Sequence, residues 1–171
     1  SASRLRSARR YNTDSESRRR PMSALLKEPR LHMRPMEESD VHAVLAVERA
    51  GYPYPWTEGN FRDCLQAGYC CWVLEEGGRM IGHGVLSVAV GEAHVLNVCV
   101  HPEWQGRGLG RRLLDRLLAL AREHEADTAF LEVRASNTVA QRLYETAGFN
   151  EIGVRRSYYP AHKGREDAVV Y

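Results

Sequence analysis

The chain has 171 residues, with 24 Lys+Arg against 22 Asp+Glu and a formal net charge of +2. Residues 1–21 hold seven arginines against Asp14 and Glu16 and so carry +5, which leaves residues 22–171 at −3. A hydrophobic content of 43% excludes wholesale disorder, no apolar run reaches the roughly 18–20 residues of a membrane helix, and a mildly acidic body argues against a nucleic-acid groove.

Residues 1–21, Arg- and Ser-rich and without periodicity, read as a disordered basic tail, appended or translated upstream of Met22. No apolar stretch follows its arginines, so no secretory signal is expected. Residues 22–171 read as one domain. Its cysteines, Cys64, Cys70, Cys71 and Cys99, show no C-x-x-C spacing, and no histidine is spaced from an acid or cysteine as metal ligands are. No metal is expected, and reduced thiols fit a cytoplasmic protein. Cys70 and Cys71 would face opposite sides of a strand.

A short strand is expected at 31–35. Ser39 or Asp40 would cap a helix over 40–50, with Val41, Val44, Leu45 and Val47 on its apolar side. After a break at Gly51–Pro55, Thr57 would cap a second helix to about 67. Strands at 69–75 and 79–88 flank the hairpin signal Gly77-Gly78, and a third apolar run covers 93–100. Leu109, Leu113, Leu117, Leu120 and Ala121 keep the 3–4 spacing of an amphipathic helix over 108–124. A buried strand at 128–133, a helix from Asn137 to Ala147 stopped by Gly148, and strands at 149–157 and 167–171 complete the order β-α-α-β-β-β-α-β-α-β-β. This is an α/β fold with a mixed central sheet flanked by helices.

The turn Gln105-Gly106-Arg107-Gly108-Leu109-Gly110-Arg111-Arg112 joins a strand to the long helix. Its glycines let backbone amides approach a ligand, and the helix N-terminus favours an anion. Arg107, Arg111 and Arg112 sit where the helix dipole disfavours cations, a placement that a bound diphosphate would reverse. The spacing is neither that of the dinucleotide fingerprint nor that of the P-loop.

Gln105-x-x-Gly108-x-Gly110 resembles the acetyl-CoA motif of the GNAT N-acetyltransferase superfamily, and Leu143-Tyr144-Glu145-Thr146-Ala147-Gly148-Phe149 resembles its later motif. Pro55-Trp56-Thr57, Leu131–Asn137, Arg155-Arg156-x-Tyr158-Tyr159-Pro160 and Arg165–Ala168 are similar to the RimI type, bacterial enzymes that acetylate the N-terminal alanine of a small-subunit ribosomal protein. The resemblance spans about residues 30–171. It implies a GNAT fold and acetyl-CoA as co-substrate, with Val98, Cys99 and Val100 contacting it through main chain and Gly106, Arg107, Gly108, Leu109, Gly110 and Arg111 holding its pyrophosphate. Asn137 would contact the same molecule. The resemblance further implies a protein N-terminus as acceptor, beside Trp56, Tyr158 and Tyr159, with neither nucleic acid nor membrane as partner.

Glu132 is the one acid in Phe130-Leu131-Glu132-Val133, where a buried carboxylate is costly unless it is paired, for instance with Arg134, or used. The resemblance makes it the proton acceptor. Tyr144 is seven residues from Asn137 and therefore on the same helix face, with Val139, Leu143 and Ala147 packing inward; the resemblance makes it the proton donor. Cys99 has apolar flanks and no base specified beside it, so direct transfer in a ternary complex is expected rather than an acyl-cysteine. The alternatives are a broader Nα-acetyltransferase, a lysine or small-amine acetyltransferase, and a non-catalytic sensor of CoA.

Overall fold

A computed structural model describes residues 30–171; the tail at 1–21 lies outside the described residues. Strand β1 (Leu31–Pro35) leads to a 3-10 turn, Glu38–Asp40, and helix α1 (Val41–Gly51); α2 spans Glu58–Gln66. Strands β2 (Cys70–Glu76), β3 (Arg79–Ala89) and β4 (Glu92–Val100) follow as antiparallel neighbours. Then come α3 (Leu109–Glu123), β5 (Thr128–Arg134), α4 (Thr138–Thr146), β6 (Gly153–Pro160) and β7 (Arg165–Val170). The seven strands form one sheet in the order β1-β2-β3-β4-β5-β7-β6. Only β4 and β5, joined through α3, run parallel, as a helical crossover requires.

The local chemistry explains most boundaries. Thr57 Oγ1 accepts a hydrogen bond from Asn60 N at 3.2 Å while Asn60 Oδ1 accepts one from Thr57 N at 2.9 Å, closing a reciprocal cap on α2. Before α1 the cap differs from the expected Ser39 or Asp40. Glu37 caps the 3-10 turn, and the Asp40 carboxylate reaches back to Glu37 N at 2.7 Å while binding Arg34. Gly148, at φ 102, ends α4 as expected.

Each face of the sheet has its own core. On one, α3 sends Leu113, Leu114 and Leu117, all fully buried, against Leu74, Leu86 and Leu131. Burying each such side chain is worth about 1.5–3 kcal/mol. Helix α3 comes close because β3 offers Gly84 opposite Leu117, where a Cβ would meet the leucine at 3.0 Å. On the other face α1 and α2 pack Val41, Val44, Leu45 and Phe61 on Val73 and Val85. Cys71 belongs to this second core and Cys70 borders the first, so the pair straddles the sheet as alternation requires.

Two irregularities open the sheet. Val85 pairs with Asn97 but Leu86 pairs with Val95, so Leu96 is an extra residue, a bulge in β4. Val95 and Val98 then share the α3 face, and Asn97 turns towards α1. Pairing of β4 with β5 stops at the same point, Val95 opposite Leu131, and beyond it Glu132–Arg134 pair with β7 instead. The second irregularity lies in β6, where Arg155 faces Ala168 but Tyr159 faces Glu166. Ser157 adopts φ 52 there, and its amide is held by Asp167 Oδ1 at 2.8 Å. This corrects the expected strand at 149–157. The ladder of β6 begins only at Gly153, and the bulge carries it on to Pro160.

Candidate active site

Two clefts meet where β4 and β5 part. The first, about 540 Å³, runs from Val98, Cys99 and Val100 past Gly106, Gly108, Leu109, Gly110 and Arg111 to Asn137 and Tyr144. Gly106 and Gly108 take φ of 77 and 76, and a Cβ built on either meets nothing within 4 Å. Glycine is thus used here for its left-handed backbone, which turns the chain into α3 and leaves an uncrowded amide surface at the positive end of a 15-residue helix. Gln105 braces the turn by donating to Val100 O at 2.9 Å. A diphosphate suits such a corner.

The expected arginine cluster is dispersed. Arg107 stacks over Trp104 at 4.6 Å and does not line the cleft, and Arg112 faces the far side of α3 with Leu31 and Trp72. Arg111 does border the cleft, but it pairs with Asp115 at 2.9 Å and donates to Thr146 O. An anion in this corner would therefore meet chiefly main-chain amides. Asn137 caps α4, accepting from Ala140 N at 3.1 Å, and borders both clefts. On α4, Leu143 and Ala147 pack on the core as expected, but Val139 does not; it is 79% exposed on the rim of the first cleft.

The second cleft, about 560 Å³, lies between the Tyr52–Trp56 loop, Leu96–Val98, Glu132–Arg134 and Tyr159–Pro160. Tyr52, Val98, Arg134, Asn137 and Tyr144 border both spaces. Trp56 and Tyr159 line the second cleft, whereas Tyr158 does not, being turned outward by the β6 bulge with its ring edge-on to Tyr159 at 4.9 Å. Arg134 lies between the rings of Tyr54 and Tyr159, 4.5 Å from each.

Glu132 is less buried than its apolar neighbours suggest, with 16% of its side chain exposed at the second cleft. Its partners are Arg155 at 3.2 Å and His94 at 4.0 Å. The expected partner Arg134, two residues on and so on the same face of β5, is instead held by Glu166 at 2.8 Å and by the rings of Tyr54 and Tyr159. Tyr144 is buried at the junction, and its hydroxyl meets no hydrogen-bond partner among the described residues. Burial pushes its phenol up to about 12, so the group keeps its proton at neutral pH. The junction thus sets a carboxylate on one strand and a protonated phenol on a facing helix, the two groups that acyl transfer to an amine needs.

Sequence reasoning missed the most enclosed acid. Glu48, on the core side of α1, is 1% exposed and meets His83 Nε2 at 2.7 Å. With Cys99 these residues offer ligand atoms within 4.8 Å of one another, a grouping invisible in linear spacing. The carboxylate already accepts from Asn97 and Trp56 N as well, so hydrogen bonds account for its burial. Polar groups therefore do lie near Cys99, contrary to the expectation from its flanks. Even so, burial and then the Glu48 charge push the thiol pKa up, the reverse of what a nucleophile needs.

A mixed sheet parted by a bulge, with a glycine corner closing the gap at a helix N-terminus, is the framework of an acyl-CoA-dependent N-acyltransferase. Residues 41–149 match the model of the acetyltransferase (GNAT) family. Over 135 residues the chain is 38% identical to the [ribosomal protein bS18]-alanine N-acetyltransferase of Escherichia coli K12, covering 79% of this chain and 91% of that one. The crystal structure of the ribosomal-protein-S18-alanine N-acetyltransferase from Escherichia coli superposes with a TM-score of 0.77 at 37% identity, covering 82% of this chain and 90% of that one. The fold is also that of yncA from Salmonella typhimurium, a structure with its cofactor acetyl-CoA (TM-score 0.68, 22% identity, 82% and 91% covered). The chain belongs to the GNAT acetyltransferase family, enzymes that use acetyl-CoA.

Proposed function

We propose that the chain transfers acetyl from acetyl-CoA to the N-terminal α-amine of a protein, and that its acceptor is the N-terminal alanine of ribosomal protein bS18. The observation that carries this reading is the 38% identity to an enzyme of that name over 135 residues, 79% of this chain. In this reading the first cleft takes the CoA, held by Val98–Val100, the Gly106–Arg111 turn and Asn137. The second takes the acceptor between Trp56 and Tyr159, with Tyr158 outside its wall. No helix among the described residues is long and apolar enough to cross a membrane, and the cysteines are unpaired, which supports a cytoplasmic place of action.

The chemistry follows from the two groups at the junction. A protein α-amine, with pKa about 7.7–8.0, is partly neutral at pH 7, whereas a lysine at about 10.4 is not, so a carboxylate is base enough for the former. The neutral nitrogen bonds to the thioester carbonyl carbon, and the nitrogen's proton passes to Glu132. As the C–S bond breaks, the departing sulfur takes the proton of Tyr144, restoring a free thiol and leaving an amide. Direct attack needs no acyl-enzyme, in keeping with the proton-bound state of Cys99.

Mass spectrometry of a bS18 N-terminal peptide after incubation with acetyl-CoA tests the proposal. One acetyl group on the α-nitrogen is expected, with none on the same peptide carrying a blocked α-amine. Acetylation that survives the block would move the acceptor to lysine, and no acetylation of either peptide would overturn the reading.

A further inference from the structure

The charged side chains of the second cleft are Glu48, Glu132 and Arg134. Two of them have opposite charges beside them, Arg155 for Glu132 and Glu166 for Arg134. Glu48 differs. Among the described residues it meets no lysine or arginine, and its contacts are His83 Nε2 at 2.7 Å, Asn97 Nδ2 at 3.1 and 3.2 Å, and Trp56 N at 3.2 Å.

The state of the pair follows from what surrounds it. His83 Nδ1 is sealed and meets no partner among the described residues. A proton there would be a buried, unsatisfied donor, which costs more than a lone pair in the same place. The imidazole proton therefore lies on Nε2, pointing at Glu48. An imidazole holding only that proton is neutral, and a carboxylate receiving three N–H donors is charged. Glu48 and its partners thus hold a net negative charge, 1% exposed, against the acceptor cleft, where the surroundings screen it little.

The geometry points to Glu48 as the residue that selects a cationic acceptor: its uncompensated charge draws the incoming chain end as an ammonium, which gives one proton to solvent water to become the neutral nucleophile, and it then steadies the positive nitrogen formed on attack until Glu132 takes the second proton. Sealed in the wall, Glu48 acts through its field and through the Trp56 and Asn97 groups it holds; it is a positioning residue. The inference rests on the acceptor being an N-terminal amine, as proposed above.

The test compares two ligands by calorimetry in the presence of CoA: an Ala-initiated bS18 peptide, and the same peptide with propionyl in place of its first alanine, which lacks only the amine. The wild-type protein is expected to prefer the amine by about tenfold, the scale of one charge pair about 10 Å apart at an effective dielectric near 20. Glu48→Gln is expected to bind both peptides alike, and Glu48→Asp, which keeps the charge, to retain the preference. Should Glu48→Gln fail to fold, Glu48→Met with His83→Phe removes charge and partner together. Equal binding by the wild type, or a full preference in the charge-free variants, overturns the inference. Absence of acetylation of the amine peptide by the wild type would overturn the proposed function instead.

Discussion

The Tyr52 hydroxyl donates to the Val98 carbonyl, tying the loop after α1 to the strand that parts the sheet. Both residues border both clefts, and Tyr52 is largely buried, with a phenol that stays protonated because burial pushes its pKa well up. Tyr52→Phe should leave the ring packed but free the Val98 carbonyl. Stability should fall by about 1 kcal/mol, read from the urea midpoint, and kcat should fall several-fold as β4 loses its brace. An unchanged kcat would separate this bond from the reaction.

Glu132→Gln and Tyr144→Phe should bind acetyl-CoA with wild-type affinity, since neither change touches the glycine turn, yet each should lose about 10²–10⁴-fold in turnover. Calorimetry and a thiol-release assay separate the two properties. Wild-type turnover in both variants would remove the acid–base assignment.

Cys99→Ala should cost about 1 kcal/mol for the small void beside Val47 and Gly51 and keep turnover within about twofold. A folded Cys99→Ala protein without activity would instead require an acyl-cysteine.

Away from the clefts, Arg34 binds both Asp40, at 2.7 Å, and Glu75. Hydrogen bonding to Arg34 lowers the Asp40 pKa below its ordinary value. A carboxyl whose pKa is lower in the folded state stabilises the fold above its unfolded value, about 3.9, and loses that contribution as pH falls through the folded one. Arg34→Met should therefore be less stable than the wild type by about 1–2 kcal/mol at pH 7, and the gap should begin to narrow as pH falls below about 4. Urea unfolding at pH 7, 5 and 3 measures it. A gap that stays constant with pH would mean that the arginine acts through packing alone.

What the sequence discloses and what it hides divide along physical lines. Helices and hairpins are legible because their signals are local: Thr57 and Asn60 cap α2, Gly77-Gly78 turns β2 into β3, and a 3–4 apolar stripe builds α3. The glycine corner is legible for the same reason. The bulge at Leu96 is not, because only pairing with β3 reveals that one residue of an apolar run has no partner. Arg107 and Arg112 look alike on paper and diverge because one finds Trp104 and the other faces Leu31 and Trp72 across the helix. Glu48 reads as a helix-face acid, and its meaning comes from His83 and Asn97, 35 and 49 residues away.

The residue without a partner at Leu96 has a bearing on how this chain can vary. Deleting it would restore a continuous ladder with β3 and remove the kink that carries β4 away from β5, so that a better-paired sheet would have nowhere to seat either substrate. Length at this point of the strand is therefore under a constraint usually reserved for side-chain identity, and one codon lost there should silence the enzyme while leaving it well folded.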